Sequence, residues 1–160
     1  MSNDIIALAT RAGNALHGQG LLLATAESCT GGGVAYAVTE VAGSSVWFDR
    51  GFVTYSNAAK TAMLGVPEAL IGGHGAVSEE VAATMAQGAL AHSGAQLALA
   101  TTGIAGPGGA VPGKPVGTVW FAWSRDGHTV TERQVFAGDR QAVREQAILH
   151  ALNGLLRFIE

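Results

Sequence analysis

A short apolar run that changes abruptly into a polar, glycine-rich turn places the strongest constraint on the fold of this chain. Residues 21–24 are all apolar, which is typical of a strand buried on both faces of a sheet. Polar residues follow, then Gly31 to Gly33, and then apolar residues at helical spacing as far as Val41. The segment therefore predicts a strand, a tight turn and a helix that ends near Gly43. This is the building unit of an α/β sheet.

The rest of the chain predicts strands and helices that alternate and then close in a hairpin. Helical patterns cover residues 5–16, 57–64, 78–92 and 139–158, and a further helical turn is expected after Pro67. Strands are expected at 52–55, 97–100, 116–123 and 129–136, the last two forming a hairpin. Loops are expected at 72–75 and 101–115. The pattern predicts an α/β fold, a three-layer α/β/α sandwich with a mixed sheet, as a single domain over residues 1–160.

The low charge content narrows the possible partners. Charged residues make up 13% of the chain and hydrophobic residues 48%, and the formal net charge is −3. Such a balance leaves no basic face, so nucleic acid is not expected as a partner. It also leaves little charged surface, so we expect a homodimer or a higher homo-oligomer. No stretch is long and apolar enough to cross a membrane, and no membrane partner is predicted.

The cysteine and histidine content bears on compartment and metal binding. Cys29 is the only cysteine, which excludes an internal disulfide and fits the reducing cytoplasm. The five histidines are scattered, and no two lie at the spacing of metal ligands. We therefore predict a cytoplasmic protein without a metal site.

The glycine-rich turn contains the first candidate for chemistry. Ser28 would lie at the carboxyl end of the first strand, the edge at which open α/β sheets bind ligands. Backbone N–H groups of Thr30, Gly31 and Gly32 are placed to bind an anion or a developing oxyanion. The alternative is that Ser28 and Thr30 only cap the helix. Glu27 is interpreted as a substrate-binding acid or as a charge at the helix N-terminus.

Lys60 is a candidate base for Ser28. Lys60 and Lys114 are the only lysines, and Lys60 lies about one turn into the helix that follows Ser56. The helix N-terminus and partial burial would both lower the pKa of its amine, which would then accept the serine proton. The alternative is a solvated surface lysine. Cys29 is the rival nucleophile. The side chains of adjacent residues point apart in an extended turn, so only one of Ser28 and Cys29 is expected to face a pocket.

Two further segments are suited to binding a phosphate or a carboxylate. Thr102, Gly103 and Gly106 belong to a long Gly/Pro-rich loop after a strand, and such loops are often functional. Arg140 and Arg144 lie one turn apart near the start of the last helix, where they could clamp an anion. The alternatives are an ordinary surface loop and surface ion pairs with neighbouring acids.

Six segments in this order resemble the CinA carboxy-terminal domain family over nearly the whole chain. They are Ala26-Glu-Ser-Cys-Thr-Gly-Gly32, Gly51-Phe-Val-Thr-Tyr-Ser-Asn57 with Lys60, Gly75-Ala-Val-Ser78, Thr102-Gly-Ile-Ala-Gly-Pro107, Lys114-Pro-Val-Gly-Thr-Val119 and Gly138-Asp-Arg140. The resemblance implies a three-layer α/β/α fold, an oligomer, and amidase activity on nicotinamide mononucleotide without a metal or another cofactor. It also implies a serine nucleophile, a lysine base and an arginine. By motif these are Ser28, Lys60 and Arg140, with Arg144 as the second choice.

The resemblance and the chemistry of the residues suggest the same hypothesis. Lys60 deprotonates Ser28, which attacks the carboxamide carbon of the substrate, and the substrate phosphate lies on the loop from Thr102 to Gly106 or on an arginine. Tyr55 is expected to orient Lys60 or to stack on the pyridinium ring. The alternative from another functional class is a non-catalytic nucleotide-binding or regulatory module of the CinA type.

Overall fold

The computed structural model describes all 160 residues, which form six α-helices and five β-strands. In chain order these are α1 (Asn3–Gly18), β1 (Leu23–Glu27), α2 (Gly33–Thr39), β2 (Phe48–Val53), α3 (Asn57–Leu64), α4 (Glu68–His74), α5 (Glu79–Ala91), β3 (Leu97–Gly103), β4 (Thr118–Arg125), β5 (His128–Val135) and α6 (Arg140–Ile159). None of the helices combines the length and apolar character that crossing a bilayer requires.

The five strands form one mixed sheet in the order β2-β1-β3-β4-β5. β1 lies parallel to both β2 and β3, whereas β4 is antiparallel to β3 and β5 is antiparallel to β4. Asp126 and Gly127 form the turn of the β4–β5 hairpin, both with positive φ, as a tight hairpin turn requires. The predicted α/β/α sandwich with a mixed sheet is confirmed.

The two faces of the sheet differ in side-chain size. Large residues such as Leu99, Phe121 and Trp123 lie on the face that packs against α1 and α6. The opposite face carries small residues and packs against α5, α3 and α4; its alanines are Ala24, Ala26, Ala98, Ala100 and Ala122. Because alanine is short, α5 lies close to the backbone of the central strands.

Gly88 shows how close the packing around α5 is. A Cβ atom at this position would overlap the backbone carbonyl oxygen of Leu64, the last residue of α3. Leu64 follows Lys60 by one helical turn, so the contact with Gly88 determines where the helix that carries Lys60 can lie.

Several boundaries differ from the sequence prediction. The helix after the glycine-rich turn, α2, ends at Thr39 and not near Gly43. Gly72 and Gly73 belong to α4, which ends at His74, so the predicted loop at 72–75 is wrong. Thr101 and Thr102 belong to the buried end of β3 instead of the following loop. β2 begins at Phe48, because an edge strand accepts the polar residues Asp49 and Arg50 that the pattern of alternating apolar residues does not predict.

Candidate active site

The glycine-rich turn follows β1 directly and places Ser28 at the carboxyl edge of the sheet. The N–H of Ser28 donates to the carbonyl of Thr101 on β3, and the N–H of Gly31 donates to the carbonyl of Ser28, each at a distance of 3.0 Å. Gly31 and Gly32 have φ of 59° and 96°, a conformation that is costly for residues with a Cβ. The chain therefore turns sharply enough for the Ser28 side chain to face a pocket while α2 begins at Gly33.

Glu27 is completely buried beside this turn. Its carboxylate accepts hydrogen bonds from the Thr30 hydroxyl at 2.6 Å and from the N–H groups of Val34 at 2.8 Å and Ala35 at 3.1 Å. These groups belong to the start of α2, where a negative charge is favourable. Glu27 is therefore a charge at the helix N-terminus, and its interpretation as a substrate-binding acid is corrected.

Lys60 lies against Ser28 and is not a surface lysine. Its side chain is buried, with 1% of the residue exposed, and Ser28 is 7% exposed. The Lys60 Nζ donates to the Ser28 Oγ at 3.0 Å and to the backbone carbonyl of Tyr55 at 3.2 Å. Burial lowers the pKa of the Lys60 amine from the usual lysine value, because desolvation disfavours the charged form. Lys60 thus has both the position and the electrostatic environment of a base.

Cys29 is poorly suited to be the nucleophile. Burial, with a smaller contribution from Glu27, raises the pKa of its thiol to about 12. A thiol with so high a pKa stays protonated at neutral pH, and the thiolate is the nucleophilic form. Both residues line the pocket, so the expectation that only one of them could face it is wrong. The contact between Ser28 and the Lys60 Nζ at 3.0 Å, together with the raised pKa of the thiol, favours Ser28 over Cys29.

A pocket of about 280 Å³ opens over Ser28 and Lys60. Five of the residues predicted to act on the substrate line it: Tyr55, Thr102, Gly103, Gly106 and Arg140. The Arg140 guanidinium donates to the Gly106 carbonyl at 2.8 Å and to the Tyr55 hydroxyl at 2.9 Å. Arg140 thus connects the two sides of the pocket mouth. Tyr55 contacts Arg140 through its hydroxyl and Lys60 through its backbone carbonyl.

The other predicted residues of the turn face a different cavity. Thr30, Gly31, Gly32 and Arg144 line a cavity of about 360 Å³, from which Ser28 is absent. The Thr30 hydroxyl is 2.8 Å from that of Thr101 and donates to Glu27, so it is not directed at a ligand. The structure therefore separates the two arginines, since Arg140 lines the pocket over Ser28 and Arg144 does not.

The connection between α4 and α5 contributes a wall that the sequence-based site prediction missed. Ala76 and Val77 line the pocket, as does Asn57 at the start of α3. The Thr102 hydroxyl donates to the Ala76 carbonyl at 2.9 Å, and the Lys114 Nζ donates to the His74 carbonyl at 2.7 Å. The sequence could have indicated Ala76, Val77 and Asn57, because they lie in two of the six segments that resemble the family.

Other parts of the surface show no comparable combination of groups. A cavity of about 440 Å³ between the β4–β5 hairpin and the end of α6 is lined by Arg125, Glu132 and Arg157, without a nucleophile and base in contact. Nowhere do three or more His, Cys, Asp or Glu side chains gather as metal ligands would. The pocket over Ser28 is thus the place where the fold brings a hydroxyl and a buried amine into contact.

The fold and the pocket define an α/β protein with a serine–lysine pair at the carboxyl edge of a mixed sheet. Residues 5–159 match the model of the CinA C-terminal domain. The chain belongs to the CinA C-terminal domain family.

Curated relatives and a solved structure agree with this assignment. A protein of Pseudomonas putida named nicotinamide-nucleotide amidohydrolase PncC is 56% identical, with 97% of each chain covered. The protein of the same name from Escherichia coli (strain K12) is 52% identical, over 96% of this chain and 93% of that one. The crystal structure of the competence/damage inducible protein CihA from Agrobacterium tumefaciens superimposes with a TM-score of 0.97 at 44% identity, covering 100% of this chain and 98% of that one.

Proposed function

We propose that this chain is a nicotinamide-nucleotide amidohydrolase, which converts nicotinamide mononucleotide and water into nicotinate mononucleotide and ammonia. The observation that carries the proposal is the buried contact of 3.0 Å between the Lys60 Nζ and the Ser28 Oγ at the base of a pocket. The names of the relatives from P. putida and E. coli, which match nearly the whole chain, support the substrate.

The reaction begins with proton transfer from Ser28 to Lys60. A neutral lysine amine has two hydrogens and one lone pair, and the Tyr55 carbonyl accepts one of the hydrogens. This contact leaves the lone pair available to the Ser28 hydroxyl, which then donates its proton. The Ser28 Oγ attacks the carboxamide carbon, and the C–N bond breaks as Lys60 returns the proton to the departing ammonia. Water then attacks the acyl-enzyme in the same way, with Lys60 as its base, and releases the product carboxylate and free Ser28.

Backbone N–H groups next to Ser28 stabilise the tetrahedral oxyanion in this mechanism. The N–H of Gly31 already donates to Ser28, and that of Gly33 donates to Thr30. The N–H groups of Cys29, Thr30 and Gly32 donate to no other residue of the protein. Because Cys29 and Thr30 directly follow Ser28, we assign the oxyanion to their N–H groups, a narrower choice than the whole turn.

The ribose phosphate of the substrate is assigned to the other side of the pocket. The N–H groups of Ala105, Gly106, Gly108 and Gly109 make no hydrogen bond within the protein, and these residues line the pocket. Arg140 lies beside them and supplies a positive charge. The exposed Tyr55 ring at the mouth provides a surface for the pyridinium ring.

The proposal is tested with purified protein, treated with a chelator and supplied with nicotinamide mononucleotide. We expect ammonia and nicotinate mononucleotide in equal amounts, measured by an enzyme-coupled ammonia assay and by proton NMR. The matched control is the same assay with free nicotinamide, which lacks the phosphate and should react far more slowly. Binding of the nucleotide without release of ammonia would favour the non-catalytic module instead.

We also propose that the protein is a cytoplasmic homo-oligomer. The large apolar side chains exposed on and beside the edge strand β2 support self-association; they are Tyr36, Val46 and Val53. Light scattering at micromolar concentration should therefore report a dimer or a larger species. A particle of 16.2 kDa would contradict this expectation.

A further inference from the structure

Arg144 contacts the backbone of the nucleophile turn from the side opposite the pocket. Its Nε donates to the carbonyl of Cys29 at 3.1 Å and its Nη2 to the carbonyl of Thr30 at 3.4 Å. Cys29 and Thr30 directly follow Ser28, whereas Arg144 lies 115 residues after Cys29, on α6. The guanidinium lines the cavity behind the turn and not the pocket over Ser28. Its partners are thus backbone groups of the site, and a substrate in the pocket is out of its reach.

The two carbonyls belong to peptide groups whose N–H atoms matter for the reaction. A trans peptide is planar, so its C=O and N–H point in opposite directions. The carbonyl of Cys29 points at Arg144, and the N–H of Thr30 in the same peptide therefore points away from it. This N–H is one of the two assigned to the oxyanion. A charge-assisted hydrogen bond to the carbonyl orients this peptide and polarises its N–H.

The second contact reaches Ser28 itself. The carbonyl of Thr30 accepts from Arg144, and the N–H of Gly31 in that same peptide donates to the carbonyl of Ser28 at 3.0 Å. A continuous chain of hydrogen bonds therefore runs from the guanidinium through one peptide to the backbone carbonyl of Ser28. Glu27 binds the Thr30 side chain and the start of α2, but none of these carbonyls. Arg144 is thus the only side chain that donates to the carbonyls of this turn.

We propose that Arg144 is a positioning residue for the amidase reaction, which fixes the peptide groups after Ser28 in the orientation that stabilises the oxyanion. This inference rests on the proposed function and on the assignment of the oxyanion to this turn. It gives Arg144 a role different from that of Arg140. Arg140 faces the substrate, whereas Arg144 acts on the transition state through the backbone, so loss of Arg144 lowers kcat and leaves substrate binding unchanged.

The experiment compares Arg144→Met, Arg144→Lys and the control Arg157→Met with wild type. Methionine keeps the apolar stem of arginine and removes its donors. Arg157 lies on the same helix, exposed, and its side chain contacts Glu132. For Arg144→Met we expect kcat for nicotinamide mononucleotide to fall by about 10- to 100-fold, somewhat less than the loss of a direct oxyanion donor. KM should stay within about twofold of wild type. Arg144→Lys should recover part of the loss, and Arg157→Met should match wild type.

Three further readouts separate positioning from phosphate binding, from a change in the base and from simple unfolding. The same fall in kcat is expected with nicotinamide riboside, which lacks the phosphate. The midpoint of the pH dependence of kcat/KM should not move, because Lys60 is unchanged. Melting followed by circular dichroism identifies a variant that does not fold, and Arg144→Lys then replaces Arg144→Met in the comparison.

Three results would bear directly on the inference. A wild-type kcat in folded Arg144→Met would overturn it. A rise in KM for nicotinamide mononucleotide alone, with kcat unchanged, would also overturn it and make Arg144 a phosphate ligand. Ser28→Ala is assayed in the same series: if it stays active, the proposed nucleophile is wrong, whereas an inactive Ser28→Ala beside a fully active Arg144→Met refutes only the role of Arg144.

Discussion

Ser28→Ala is expected to abolish release of ammonia from nicotinamide mononucleotide. The substitution removes the Oγ that the Lys60 amine contacts at 3.0 Å and leaves the turn intact, because the hydrogen bonds of Ser28 within the turn come from its backbone. Covalent catalysis has no alternative nucleophile at this position, so kcat should fall by a factor on the order of 10³ or more. Binding of the nucleotide, measured by calorimetry, should be retained, since the loop and Arg140 are unchanged.

Cys29→Ala provides the matched control for this prediction. The thiol is adjacent to Ser28 and lines the same pocket, but its pKa of about 12 keeps it protonated. Cys29→Ala should therefore keep most of the activity. If Cys29→Ala were inactive and Ser28→Ala active, the chemistry would belong to the thiol and the mechanism would have to be rewritten.

Lys60→Arg is expected to be nearly as inactive as Lys60→Met, although arginine keeps the positive charge. Arginine stays protonated at all accessible pH values and cannot accept the Ser28 proton, and methionine has no basic nitrogen. General base catalysis contributes about 10²- to 10⁴-fold, so a loss of that size in kcat is expected for both. Steady-state kinetics with nicotinamide mononucleotide, with melting curves to establish that both variants fold, measure the effect.

The activity of the wild-type protein is expected to rise with pH if Lys60 is the base. The base must be neutral, so kcat/KM should rise with pH as Lys60 loses its proton and level off above the pKa. Burial lowers that pKa, so the midpoint of the rise should lie below the usual lysine value of 10.5. Lys60→Arg should lose this rise. Lys60 would be only a charge partner if Lys60→Arg kept more than about a tenth of wild-type kcat, a barrier change under roughly 1.4 kcal/mol.

The strand, the turn and the position of Ser28 at the edge of the sheet could be predicted because they depend on local pattern. A short apolar run followed by polar residues and glycines has few other structures available, and its carboxyl end is the ligand edge of an α/β sheet. The burial of Lys60 is different, since it depends on the packing of α3 against α5 and α4. Sequence alone left a surface lysine as the alternative, and the exposed fraction of 1% decides against it.

The role of Glu27 and the choice between Arg140 and Arg144 could not be predicted, because they depend on which groups each side chain reaches in the folded protein. Glu27 and Ser28 are adjacent, yet Glu27 points at the start of α2 and Ser28 at the pocket. Arg140 and Arg144 lie one turn apart on nearly the same face of α6, and the rise of one turn along the helix places Arg140 at the pocket and Arg144 against the carbonyls behind the turn. The helix in place of the loop at 72–75 shows that tertiary contacts can outweigh the low helix propensity of two glycines.

The close packing at Gly88 extends the functional part of this protein beyond the pocket. A side chain at position 88 would displace the end of α3 and with it Lys60, one turn away, because the overlapping atom is backbone and cannot rotate aside. The contact of 3.0 Å between the Lys60 Nζ and the Ser28 Oγ is thus set partly by the packing of α5 against the end of α3. In a library of random variants, folded but inactive clones will therefore include changes at the α3–α5 crossing that touch neither substrate nor nucleophile.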